Sequence, residues 1–182
     1  TLVLEKARIY TLTKEYDLAI EEIKKAIELK SNYIDAVFLL SQIQAEKGEI
    51  DQAISSIQAG TVVEPNNPNL HFQLGLLYYN KQSYNDAIVY FENAIKLSPG
   101  FANAEYFLGL SYYKNNRTSD ALAVFEKLHA QIPDNQEVSF ILNNLKSGQD
   151  PFSGAQPPLT NSPESREELP LEDGKSDTTK SE

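Results

Sequence analysis

Apolar residues in this chain follow a helical period nested inside a longer one. Residues 69–81 read NLHFQLGLLYYNK and residues 84–97 read YNDAIVYFENAIKL. In the second stretch Ala87, Ile88, Phe91, Ala94 and Ile95 fall at helical spacing, with polar and charged residues between them. That is the pattern of an amphipathic helix. Residues 80–83 form a short polar break, and Pro99-Gly100 stops the second stretch, so the pair reads as a helical hairpin.

The landmarks of this hairpin return every 34 residues, as Ala19, Ala53, Ala87 and Ala121 show. A small residue recurs at Ala7, Ser41, Gly75 and Gly109, and a bulky one at Ile23, Ile57, Phe91 and Phe125. Pro65, Pro99 and Pro133 close three units, and Ser31 stands where the first would close. A fixed period of this length marks a repeat architecture. One hairpin cannot cover its own apolar face, so neighbours must stack. Gly75 and Ala87, and likewise Gly109 and Ala121, are expected to face each other at the closest helix contacts. Leu74, Tyr78 and Phe91 would fill the space around the first of these.

The string Leu74-Gly75, Tyr78, Ala87, Phe91, Ala94 and Pro99 resembles a tetratricopeptide repeat. The fourth unit matches in Leu108-Gly109, Tyr112, Ala121, Phe125 and Pro133. The second keeps Leu40-Ser41, Ala53, Ile57 and Pro65, with Gln44 for the usual aromatic and Gly60 for a usual alanine. The first keeps Ala7, Tyr10, Ala19, Ile23 and Ala26. The tryptophan common early in the motif is replaced by Val3, Val37, His71 and Glu105. The resemblance implies an all-α fold, a right-handed superhelical solenoid of antiparallel helical hairpins. Its units are 1–33, 34–67, 68–101 and 102–135. Beyond them Val138, Ile141, Leu142 and Leu145 form one apolar stripe, read as a lone capping helix over 134–147.

From Gly148 the composition changes. Residues 148–182 carry five prolines, many Ser, Thr, Asp and Glu, and few large apolar side chains. We expect most of this acidic tail to be disordered, because it cannot bury enough surface to offset its ordering entropy. Phe152 is left with two readings, an aromatic folded back on the solenoid end or an exposed one in a linker. The chain contains no methionine and begins inside a repeat helix, so more structure is expected upstream. No apolar run approaches the roughly 20 residues of a membrane span, and no signal-peptide pattern is visible. The segment is expected to be soluble, cytoplasmic or at the cell envelope if joined to a membrane protein.

Charge and residue types narrow the function. The net charge is −10, a poor match for a phosphate backbone, so no nucleic-acid partner is expected. Absent cysteine excludes disulfides, thiolate zinc sites and cysteine nucleophiles. His71 and His129 are the only histidines, far apart and with no second ligand at metal spacing, so packing or surface roles are expected. No phosphate loop, nucleophile elbow or metal loop appears. The reading is a non-catalytic chain with no cofactor and no metal.

The resemblance also implies which face binds, since first helices line the concave side in this family. By register that side receives Phe38, Leu39 and Gln42, then Phe72, Gln73, Leu76 and Tyr79, then Asn103, Tyr106, Phe107, Leu110 and Tyr113. The partner-binding groove is assigned to Phe38, Gln42, Phe72, Gln73, Leu76, Tyr79, Asn103, Tyr106, Leu110 and Tyr113. Phe72, Leu76, Tyr106 and Leu110 are expected to form one continuous apolar strip, which marks a site for a peptide or helix of a partner protein. The cationic clamp of chaperone cofactors is not matched, because Arg8, Gln42, Leu76 and Leu110 stand at its places. A second reading makes the chain the C-terminal appendage of a larger protein. Residues 147–152, SGQDPF, faintly resemble the endings of bacterial membrane-bound glycan ligases and polymerases. Oligomeric state is left open.

Overall fold

The computed structural model describes residues 2–29, 33–155 and 171. Among them are α1 (Leu2–Leu12), α2 (Tyr16–Glu28), α3 (Tyr33–Glu46), α4 (Ile50–Val63), α5 (Pro68–Asn80), α6 (Tyr84–Leu97), α7 (Ala102–Lys114), α8 (Thr118–Gln131) and α9 (Gln136–Lys146). Each helix packs on its neighbour in sequence, and first helices also meet across hairpins at α1–α3 and α5–α7. The result is a solenoid whose first helices share one side.

Helix ends follow local chemistry. Lys14, Gly48, Gln82 and Asn116 turn each hairpin with φ of 61°, 79°, 62° and 59°. The next residue then bonds back to the carbonyl five residues earlier: Glu15 to Tyr10 at 2.8 Å, Glu49 to Gln44 at 2.8 Å, Ser83 to Tyr78 at 2.9 Å and Arg117 to Tyr112 at 2.8 Å. This is the Schellman closure, which satisfies otherwise orphaned carbonyls. Pro65, Pro99 and Pro133 each stand just beyond the end of α4, α6 and α8, where a helix cannot continue. Ser31 lies outside the described residues. Asn67 caps α5, its side chain accepting the Asn69 N–H at 3.0 Å, and Pro68 takes the first helical position.

The glycines of the repeat make room for a ring. A Cβ on Gly75 would lie 2.5 Å from the Phe91 ring, and one on Gly109 would lie 2.6 Å from the Phe125 ring. The nearest atoms at both sites all belong to these phenylalanines. The nearest neighbours of Gly75 and Gly109 are thus the Phe91 and Phe125 rings rather than Ala87 and Ala121. Phe91 and Phe125 are fully buried, and a ring of that size fits only where no Cβ stands. In the first two hairpins the same positions hold Ala7 with Ile23 and Ser41 with Ile57, a larger small residue with a smaller large one.

Phe91 also carries the core sideways. Its ring centroid lies 5.8 Å from Phe72 and 5.9 Å from Phe107, and Phe72 lies 4.9 Å from Phe101. These contacts tie the third hairpin to the fourth. The stripe Val138, Ile141, Leu142 and Leu145 of α9 is buried in the same cluster. Asn135 caps α9, accepting the Val138 N–H at 2.9 Å.

Two stability predictions separate space from backbone strain. Gly75→Ala should cost about 1–3 kcal/mol by overpacking against Phe91. Combined with Phe91→Ile it should cost at least about 1 kcal/mol less than the sum of the two single changes. Urea denaturation of the three variants measures this, and strict additivity would refute the ring contact. Gly48→Ala should cost about 1 kcal/mol through its left-handed backbone alone, since nothing lies within 4 Å of the added Cβ.

Candidate functional site

The shared side of the first helices is not uniform. Between α3 and α5 lies an open cleft of about 520 Å³, lined by Phe38, Ser41, Gln42 and Glu46 on one wall and Asn69, Phe72, Gln73 and Leu76 on the other, with Phe101 at one end. A second hollow of about 300 Å³ continues toward α1, bounded by Arg8, Asp35, Phe38, Leu39 and Gln42. The walls are apolar at the base and polar at the rim. Gln42 Nε2 donates to Glu46 Oε1 at 3.2 Å, and the Tyr16 hydroxyl donates to Glu46 Oε2 at 2.9 Å. The bond to Glu46 raises the Tyr16 pKa above the ordinary phenol value.

Five of the expected groove residues, Phe38, Gln42, Phe72, Gln73 and Leu76, meet in this cleft. Phe72 offers it only an edge, because its ring is 3% exposed among Phe91, Phe101 and Phe107. Tyr79 does not line the groove. It is buried between hairpins, 5.5 Å from Tyr84 and 5.8 Å from Phe107, so its assignment is corrected to core.

The fourth-unit residues are placed differently again. Asn103, Tyr106 and Leu110 are 0%, 0% and 1% exposed, so the expected continuous strip is an open half and a covered half. The cover comes from the chain's own C-terminal part. The Tyr106 hydroxyl donates to Glu137 Oε1 on α9 at 2.6 Å. Asn103 Nδ2 donates to the Leu171 carbonyl at 2.7 Å, and the Leu171 N–H donates to Asn103 Oδ1 at 3.0 Å. Tyr113 remains half-buried, its hydroxyl 3.3 Å from Asp150 Oδ2; burial first, then Asp150, raises its pKa.

The stretch after α9 folds back on the solenoid end. Asn144 Nδ2 donates to the carbonyls of Pro151 at 2.9 Å and Ser153 at 3.0 Å. Asp150 Oδ1 accepts the Phe152 N–H at 2.9 Å, an Asx turn. Pro151 is buried and Phe152 packs, half-buried, on the main core cluster. The remainder of the tail expectation, residues 156–170 and 172–182, lies outside the described residues. Sequence reasoning missed Asn144 and Leu171. One signal was available. Residues 103–112 of α7 are all buried, and its sequence ANAEYFLGLSYYK shows no polar stripe. A helix without a polar stripe is covered on every side.

The histidines pack. His71 stacks on Tyr90 with centroids 6.3 Å apart and its Nε2 donates to the Pro65 carbonyl at 2.9 Å. His129 Nδ1 lies 3.2 Å from Ser139 Oγ. Among the described residues no group of three or more His, Asp or Glu is placed to hold a metal, and no helix is long and apolar enough to cross a membrane.

Asn144→Ala should leave the Pro151 and Ser153 carbonyls without their donor and lower stability by about 1–3 kcal/mol. The exposed Lys114→Ala should shift the melting temperature far less. Equal melting temperatures would show that the turn adds nothing to the folded end.

A family model described as tetratricopeptide repeat matches residues 38–100 and 72–135, and a second of the same description matches residues 2–33. No curated protein matches the chain by sequence. Among solved structures the chain is similar to MamA at 21% identity and a TM-score of 0.69, over 81% of this chain and 80% of that one. It is similar to YrrB, described as a TPR protein with an unusual peptide-binding site, at 21% identity and a TM-score of 0.61, over 73% and 68% of the two chains. It is also similar to the first TPR of Spaghetti (RPAP3), bound to the HSP90 peptide SRMEEVD, at 19% identity and a TM-score of 0.58, over 62% and 89%. At such identities the likeness concerns the fold.

Proposed function

The chain belongs to the tetratricopeptide repeat family, and from that premise we propose that it is a non-catalytic interaction scaffold holding an extended segment of a partner protein in the cleft between α3 and α5. The observation that carries this reading is a register match. Asn69, Phe72 and Leu76 in the open cleft stand 34 residues before Asn103, Tyr106 and Leu110, the face against which Leu171 is held. The same pattern that grips a backbone on α7 is presented open on α5. Asn69 is exposed and Leu76 half-buried, so both are accessible.

Chemistry selects the ligand class. An apolar floor with amide groups at the rim suits a segment with apolar anchors and backbone hydrogen bonds. Of the four positions matching the family's cationic clamp only Arg8 is charged, so a terminal carboxylate is not the preferred feature. A net charge of −10 disfavours nucleic acid. Two of the structural neighbours, YrrB and the RPAP3 repeat, are described with peptide sites or peptides, which supports a peptide here.

A displayed peptide library panned on the full chain tests the reading. Enriched peptides should bind Leu76→Glu about thirtyfold more weakly or worse, the loss of one anchor worth about 2 kcal/mol. Val62→Glu, at an 83% exposed position of α4, should leave binding unchanged. Far-UV circular dichroism confirms that both variants stay helical. Peptides indifferent to Leu76→Glu would place binding elsewhere.

A further inference from the structure

The inner face of α7 is occupied by the chain itself. Leu171 is 4% exposed and belongs to the same buried cluster as Tyr106 and Leu110. One side chain holds both polar groups of its backbone: Asn103 gives an N–H to the Leu171 carbonyl at 2.7 Å and accepts the Leu171 N–H at 3.0 Å. Asn103 is itself fully buried. A buried amide without partners is costly, and here the tail backbone supplies a partner for each half of it. This double contact is blind to side-chain identity, so the leucine supplies the selection.

We propose that the α7 face is a peptide site whose ligand is the chain's own Leu171, docked within the same molecule. Any outside segment that uses this face must displace it. The proposal holds whether or not the cleft between α3 and α5 takes a partner.

Two observations favour the chain's own segment over a second copy. From Ala155 to Leu171 is 16 residues, which at about 3.3 Å per residue reach as far as roughly 50 Å. A tether of this kind raises the local concentration of the segment to the order of millimolar, which a free chain at micromolar concentration does not match. Charge works against a second copy. Glu167, Glu168, Glu172 and Asp173 flank the leucine, and the chain carries −10 overall. Bringing two such molecules together opposes like charges, a penalty the tether has already met. Among the described residues the contact is held by two hydrogen bonds between the Asn103 amide and the Leu171 backbone and by the buried leucine.

Amide hydrogen exchange by NMR on the full chain tests the proposal. The Leu171 amide should exchange at least about tenfold more slowly than in a synthetic peptide of residues 165–176, because its N–H is bonded and buried. Asn103→Ala should return it to the peptide rate while α5 amides stay protected. If that variant does not fold, Leu171→Asp serves instead, and the Asn103 side-chain N–H signals should then exchange faster than in the wild type. Protection at Leu171 should be the same from 10 μM to 1 mM protein, a range chosen on the order of the tether's local concentration. Added salt should not reduce it, since the two hydrogen bonds and the buried leucine join uncharged groups. A wild-type Leu171 amide at the peptide rate overturns the proposal. Protection that falls on dilution overturns the intramolecular occupant and assigns the site to a second copy.

Discussion

The contact of a phenylalanine ring with a glycine one helix away is the constraint on which the stronger half of this solenoid depends. With no Cβ at Gly75 or Gly109, the Phe91 and Phe125 rings lie flush on the facing helix. Phe91 then reaches Phe72 and Phe107, and Tyr106 reaches Phe125 with centroids 5.7 Å apart. One buried cluster runs from α5 through α9 as a result. Ile57 links only the second hairpin to the third, and that link does not reach the larger cluster. The core around it, with Val37, Leu70 and Leu74, remains a separate cluster. The open cleft lies where these two clusters adjoin, between α3 and α5. A single exchange of ring for branched aliphatic, repeated in phase, thus accompanies the change from a closed inner face to an open one.

Periodicity made the fold legible. Four landmarks held in phase leave little freedom for any architecture but stacked hairpins, and the terminal stripe of α9 follows the same logic. The hairpin turns were less legible. Lys14, Gln82 and Asn116 share the left-handed conformation of Gly48, yet only Asn116 is of a type that favours it. Their helices close because the backbone bonds outweigh the strain, which for an L residue is about 1 kcal/mol.

The site was legible as a face and illegible as a surface. Register placed Phe38, Gln42, Gln73 and Leu76 together, because register fixes which side of a helix a residue occupies. It did not reveal what lies over that side. Leu171 meets Asn103 across 68 positions of sequence, and its only mark is a pair of leucines, Leu169 and Leu171, among carboxylates. Tyr79 failed for a local reason, since one position of helix rotation turns a side chain from the groove into the seam between hairpins.

The buried polar groups of α7 show why this helix needs its cover. Ser111 turns inward and donates to the Phe107 carbonyl at 2.7 Å. Glu105, 2% exposed, is reached by the Lys127 ammonium at 2.6 Å. Asn103 has Leu171. The first two partners come from α7 and α8, and they persist as long as the hairpin is folded. The third comes from Leu171, the partner that an outside segment would displace. When it leaves, water replaces the tail at the Asn103 amide, and the apolar surface around Tyr106 and Leu110 becomes accessible. The net free energy of the covered state is then small, because hydrogen bonds are exchanged rather than lost and only the apolar burial is forfeited. A site of this design stays shut in the isolated chain and yields to a competitor that offers the same backbone bonds with a better anchor.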